Sequence, residues 1–199
     1  MRILAFSDLH RNQEIARQIV RESCAADILV GAGDFAMRGI GLRDTLDILA
    51  SADAPLLAVS GNHDSFDELQ AICGAVPNFT LLDGAGVNIK GHEFYGISRE
   101  IPFQKDALWS ESYSEEQASN LLAGCPTGAV LISHSPPYGV VDFQADGRHE
   151  GSEALLRTVR DKKPRVHLCG HIHHCIGMHE YVGQTKVMNL GPTINWIEL

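Results

Sequence analysis

Ten histidines in 199 residues, and the places where they fall, carry the chemistry of this chain. Five times a short apolar run leads into acid, amide or imidazole side chains. Ile3 to Ser7 runs into Asp8 and His10, Ile28 to Gly31 into Gly33 and Asp34, and Leu56 to Ser60 into Asn62, His63 and Asp64. Ala129 to Ser133 leads to His134, and Arg165 to Cys169 leads to His171 and His173. Asp8, His10, Asp34, Asn62, His134, His171 and His173 make seven candidate nitrogen and oxygen ligands, more than one ion needs if a position is to stay open for water. Seven suit two ions sharing one bridging carboxylate. A donor set of imidazole and carboxylate without thiolate favours Mn, Fe, Zn, Ni or Co. Taken singly each motif has a plain structural reading: an Asp-x-His turn, a Gly-Asp turn, a helix cap at Gly61-Asn62-His63-Asp64, a rigid loop at Ser133 to Pro137. The weight lies in their recurrence.

Such residues must be brought together by the elements that precede them. Aliphatic runs at Ile3–Ser7, Ile28–Gly31, Leu56–Ser60, Ala129–Ser133 and Arg165–Cys169 read as buried strands. Helical patterns lie over Asn12–Cys24, Leu42–Ser51, Phe66–Cys73, from Ser114 onward, and over Ser152–Lys162. Ligands bind beyond the carboxyl ends of the strands in open α/β sheets, where all five runs would converge. Asp8 and His10, like His171 and His173, are two residues apart, and in extended backbone such pairs point to one side. Phe79–Leu82, Val87–Lys90, Glu93–Ile97, Tyr181–Leu190 and Ile194–Glu198 read as antiparallel hairpin strands, so mixed sheets are expected. With no linker or repeat, residues 1–199 read as a single domain.

Composition narrows the function. Sixteen Lys and Arg against 25 Asp and Glu give a net charge of −9, which argues against a broad nucleic-acid footprint. No apolar run is long enough for a membrane helix, and the first eight residues do not read as a signal peptide. Five scattered cysteines without a Cys-x-x-Cys pair suit a reducing compartment, and a cytoplasmic location is expected. The segment Gly31 to Ala36 matches a dinucleotide fingerprint, but Gly39 and Gly41 keep it a loop where that fingerprint must open a helix.

In this order, Asp8-x-His10, Gly33-Asp34, Gly61-Asn62-His63-Asp64, His134 and Gly170-His171-x-His173 resemble the motifs of the calcineurin-like metallophosphoesterase superfamily. The resemblance covers essentially the whole chain. Ser133 to Gly139, Cys169 to His173 and Asn189 to Pro192 look most like the small class III-type members, and the 239-family metallophosphodiesterases are similar. It implies an α/β fold, a four-layer αββα sandwich of two mixed sheets flanked by helices. It further implies that Asp8, His10, Asp34 and His173 hold a first ion. Asp34 would bridge to a second ion completed by Asn62, His134 and His171. His63 would be the general acid or a donor to the phosphoryl oxygens, Asp64 would orient His63 or its loop, and Asn62 and Arg38 would touch substrate.

The function expected is hydrolysis of a small phosphodiester, cyclic nucleotides among the candidates, with two transition-metal ions, manganese among them. A phosphomonoesterase, a nuclease acting on nucleic-acid ends and a non-catalytic protein-binding scaffold are the alternatives. A small phosphorylated substrate is expected, with neither extended nucleic acid nor a membrane as partner. Arg99–Ser110 and Tyr138–Gly151 are the segments expected to line the cleft.

Overall fold

Strand residues alternate between two destinations, and that alternation builds the layers. In the computed structural model, which describes residues 1–103 and 107–199, strand β1 (Arg2–Phe6) sends Leu4 and Phe6 to one face and Ile3 and Ala5 to the other. Strands β2 (Ile28–Ala32) and β3 (Leu56–Val59) repeat the pattern, with Leu29, Leu56 and Ala58 on the outer face and Val30, Leu57 and Val59 on the inner one. The outer face is covered by three helices. Helix α1 (Gln13–Glu22) brings Ala16 and Ile19, α2 (Leu42–Leu49) brings Leu46 and Leu49, and α3 (Phe66–Ala75) brings Leu69 and Ile72. Asn12 and Ser65 cap α1 and α3 by accepting the N–H groups of Ile15 and Glu68.

The inner face meets a second sheet. From it, Phe94 on β6 (His92–Ile97), Val130 and Ile132 on β7 (Val130–Ser133), and Val166 and Leu168 on β8 (Val166–Cys169) pack against Ile3, Val30 and Val59. Its far face sends Tyr95, Ile97 and Leu131 against α4 (Glu115–Leu122) and α5 (Glu153–Lys162). Helix α4 opens with a capping box between Ser114 and Gln117. The result is the expected helix–sheet–sheet–helix sandwich, with both sheets mixed.

Two expectations about the edges are corrected. Strand β4 (Phe79–Leu81) is no hairpin arm: it pairs parallel to β3, because α3 intervenes and returns the chain as a crossover. At the end of the chain, β9 (His179–Val182) and β10 (Thr185–Asn189) do form a hairpin, and so do β5 (Ala85–Ile89) and β6. Strand β11 (Asn195–Glu198) leaves that hairpin and pairs antiparallel to β1 in the other sheet. The turn at Gly191 redirects it, anchored where Ser7 N–H donates to the Gly191 carbonyl at 3.0 Å. Strand orders are therefore β11-β1-β2-β3-β4 and β5-β6-β7-β8-β10-β9, with β1–β4 parallel to one another and β6, β7, β8 and β10 likewise. Among the described residues no helix is long and apolar enough to cross a membrane.

Candidate metal centre

All five strand ends named by the sequence open onto one cleft. Asp8, His10 and His173 place a ligand atom each within 4.8 Å of one another; so do Asp8, Asp34 and His134, and so do His10, Asp34 and His63. The backbone reaches this arrangement through loops, not extended strand. Asp8, His10, Asp34 and His171 have φ of 54°, 43°, 57° and 69°, all in the left-handed region that costs a non-glycine residue energy. Extended backbone is therefore not the device, yet each pair still reaches one cleft: Asp8 and His10 lie together with His173, and His171 and His173 line the same cavity. His171 turns toward His134, with ring centroids 4.9 Å apart, and His173 turns toward Asp8 and His10.

Close approach of the loops needs glycine. A Cβ on Gly61 would collide with the carboxylate of Asp34, and one on Gly170 with Asp8 and Ser7. Behind the loops, Asp64 is fully buried and accepts three backbone N–H groups, from Asp34 and Ala36 at 2.8 Å and from Gly61 at 2.9 Å. It ties the Asp34 loop to the Gly61 loop and makes no bond to the imidazole of His63. Burial and then the charge of Asp34 push its carboxyl up to about 7, against the pull of those amides.

The electrostatics describe a hole shaped for cations. Asp8 and Asp34 are almost wholly buried, and among the described residues no Lys or Arg pairs with either. Asp34 Oδ2 lies 3.6 Å from His10 Nε2 and 3.4 Å from His134 Nε2. Burial alone would raise Asp34, yet His134 holds it well below the usual carboxylate range. Asp8 is lowered in the same way, its burial overcome by His173 and His134. His134 is lowered by burial but pushed up to about 10 by Asp34 and Asp8. His173 is raised by its bond to Asp8. The donor set of imidazole, carboxylate and amide fits a divalent transition-metal ion.

The remaining residues frame that hole. His10 Nδ1–H donates to the Ala36 carbonyl at 3.2 Å, and His134 Nδ1–H to the Ala32 carbonyl at 2.9 Å, so each turns Nε2 inward. Asn62 Oδ1 sits 3.2 Å from His134 Nε2. His63 Nδ1 accepts the N–H of Arg38 at 3.0 Å, which places its own proton on Nε2. Burial lowers the pKa of His63, with Asp34 opposing. The Arg38 side chain is exposed and reaches Trp109, its guanidinium 5.9 Å from the ring. Trp109 in turn lies against His63, with centroids 4.4 Å apart.

Above these residues is a cavity of about 230 Å³. Its walls include Glu100 and Trp109 from one expected lining segment and Gln144 and Glu150 from the other; residues 104–106 of the first segment fall outside the described residues. Two contributors escaped the sequence reading as site residues. Glu100 follows β6, a sixth strand end, its carboxylate 3.3 Å from His171 Nε2. Asn189, at the end of β10, donates from Nδ2 to the carbonyls of Gly170 and Ile172 at 3.0 Å and holds the histidine loop.

Residues 1–175 match the family described as calcineurin-like phosphoesterase. The chain belongs to that family. Calcineurin-like metallophosphoesterases are hydrolases that use divalent metals, in keeping with the cluster above. A UPF0046 protein of Caenorhabditis elegans is 28% identical to this family member over 204 residues, covering 89% of this chain and 65% of that protein. A Mycobacterium tuberculosis protein described as a cAMP/cGMP dual specificity phosphodiesterase is 27% identical over 169 residues, covering 81% and 53%. The chain thus spans about half to two thirds of the length of these relatives. A crystal structure of a Thermus thermophilus protein superposes with a TM-score of 0.76 at 19% identity, covering 96% of this chain and 88% of that one. Phosphopantetheinyl hydrolase from Mycobacterium tuberculosis superposes with a TM-score of 0.66 at 16% identity, covering 95% and 88%. These likenesses establish the shared fold.

Proposed function

We propose that this phosphoesterase hydrolyses small phosphodiesters, cyclic nucleotides among them, at a dinuclear metal site. The observation that carries the reading is the placement of Asp34, whose single oxygen Oδ2 faces His10 on one side and His134 on the other. Asp8, His10, Asp34 and His173 would hold the first ion, and Asp34, Asn62, His134 and His171 the second. Ions bound there lower the pKa of a bound water and stabilise charge on the phosphoryl oxygens. His63, with its proton on Nε2, donates toward the phosphoryl or leaving-group oxygen, and Arg38 fixes it in that form through its backbone N–H. Asp64 is a positioning residue for the two loops.

Preference for a diester rests on an aromatic wall and on the relatives. Trp109 offers an aromatic face on which a base can stack. The Mycobacterium tuberculosis relative described as a cAMP/cGMP dual specificity phosphodiesterase supports the same substrate class. No extended nucleic acid or membrane enters this reading, and manganese is the first ion to try.

The test is hydrolysis of bis-p-nitrophenyl phosphate and p-nitrophenyl phosphate by metal-stripped protein, with Mn²⁺, Ni²⁺, Zn²⁺ or Mg²⁺ restored. Diester turnover that needs metal and exceeds monoester turnover is expected, followed by turnover of cAMP. His63→Ala should keep its metal and lose about 10²- to 10⁴-fold in rate. Faster monoester turnover would reassign the chain as a phosphatase, and silence from folded protein with every metal would remove the enzyme reading.

A further inference from the structure

The four candidate histidines differ in the polar group that holds each ring. For His10 and His134 it is a backbone carbonyl, of Ala36 and Ala32. His173 is the most exposed of the four, at 58% of its side chain. For His171 it is a carboxylate: Glu100 Oε1 lies 3.3 Å from Nε2. Glu100 is 4% exposed, and among the described residues no Lys or Arg reaches it. Its neighbour Arg99 is engaged elsewhere, 2.9 Å from Glu111 and 3.8 Å from Asp83. A buried acid with no cation beside it calls for another partner.

A second contact extends the network. Ser110 Oγ donates to Glu100 Oε2 at 3.3 Å and accepts the Nδ2–H of Asn62 at 3.5 Å. The Asn62 amide is thereby turned with Oδ1 toward His134. Glu100 thus touches one donor of the second sub-site directly and another through a hydroxyl.

Building on the dinuclear reading, we propose that Glu100 is a positioning residue for the second ion. Its Oε1 accepts the Nε2–H of His171, leaving Nδ1 of that ring to ligate, and through Ser110 it holds the Asn62 amide oxygen inward. A carboxylate behind a ligating imidazole fixes the tautomer and strengthens the donor. The first sub-site, Asp8, His10 and His173, has no contact with Glu100 among the described residues.

The experiment is Mn²⁺ binding to the metal-stripped full chain, followed by calorimetry and by the spin-coupled Mn²⁺ signal of a paired site. Wild type, Glu100→Ala and Glu100→Gln are compared, with thermal melts of the metal-free proteins as folding controls. Wild type should bind two ions. Glu100→Ala should bind the first as tightly and the second about 10- to 100-fold more weakly, with the coupled signal lost at equal metal. Glu100→Gln still offers an oxygen to the Nε2–H and should restore the second ion to near wild-type affinity. Two ions held unchanged by Glu100→Ala overturn the inference. A Glu100→Gln protein as impaired as Glu100→Ala overturns it too, by showing that charge or direct ligation is what matters. A wild-type chain that takes up fewer than two ions overturns the dinuclear reading as well.

Discussion

Two histidines with no solvent exposure sit on adjacent strands of the second sheet, His134 just past the end of β7 and His167 within β8. Ser133 joins them in sequence and space: its hydroxyl donates to the Ser135 carbonyl and accepts the Nε2–H of His167 at 2.7 Å. His134 is pushed up to about 10, and His167 is driven down to about 3. Burial acts against charge on both. At His134 it is overcome by Asp34 and Asp8; at His167 nothing opposes it among the described residues, where Nδ1 has no partner. One sheet therefore holds a core imidazole kept neutral and, on the next strand, a cleft imidazole kept charged. That difference separates a histidine beside buried carboxylates from one in the apolar core, which a histidine count does not convey.

The largest effect should come from removing the charge that divides the two. Asp34→Asn should abolish diester turnover beyond the ~100-fold that disturbing an outer contact costs. It should also strip metal from both sub-sites. In the metal-free variant His134 should lose its proton well below pH 10 and come to resemble His167, which the Cε1–H chemical shift would follow. A His134 that stays protonated at pH 8 without Asp34 would break the comparison.

Stability against pH should show the two histidines with opposite sign in metal-free protein. His134 is raised, so its contribution is complete below an unfolded pKa of about 6.5 and is lost as pH climbs toward 10. His167 is depressed to about 3, so between there and 6.5 the unfolded chain binds more protons and stability falls with acid. From pH 7 to pH 5 that loss is about 2 kcal/mol. Asp64, raised to about 7, acts with the opposite sign over the same window, so the measure is the difference between wild type and His167→Leu in urea unfolding, which should shrink by that amount from pH 7 to pH 5. Added Mn²⁺ should flatten the alkaline limb alone, since the ion replaces the proton on His134. If Mn²⁺ flattens the acid limb instead, His167 belongs to the site.

The sequence shows the site more plainly than it shows how the backbone reaches it. Asp8, His10, Asp34, Asn62, His63, His134, His171 and His173 are visible because polar chemistry directly after an apolar strand is rare, and the structure brings them to one cleft. Glu100 was hidden, since an acid after Gly96-Ile97-Ser98-Arg99 looks like any loop charge until β6 is known to lie beside β7. The left-handed φ at Asp8 and His171 was hidden too, because it is imposed by packing around Gly33, Gly61 and Gly170 and not by local propensity. Strand β4 has three residues, too few to show a period, and β11 is assigned to its sheet by an exposed edge on β1 far away in sequence.

Asn189 sits between the two regimes and should give the smallest effect. Like His167 it has a buried atom, Oδ1, without a partner among the described residues; like His134 it serves the cleft, since its Nδ2 holds the carbonyls of Gly170 and Ile172. Asn189→Ala leaves both carbonyls without that donor, which should cost about 1–3 kcal/mol of stability. If the residue belongs with the site, freeing the loop should weaken both ions a few-fold, because His171 and His173 both ride on it, whereas Glu100→Ala touches the second ion alone. If it belongs with the core, melting temperature falls and Mn²⁺ affinity does not move. Both ions weakening together would place the boundary between the two regimes beneath Asn189; unchanged affinity would place it above, at the histidine loop itself.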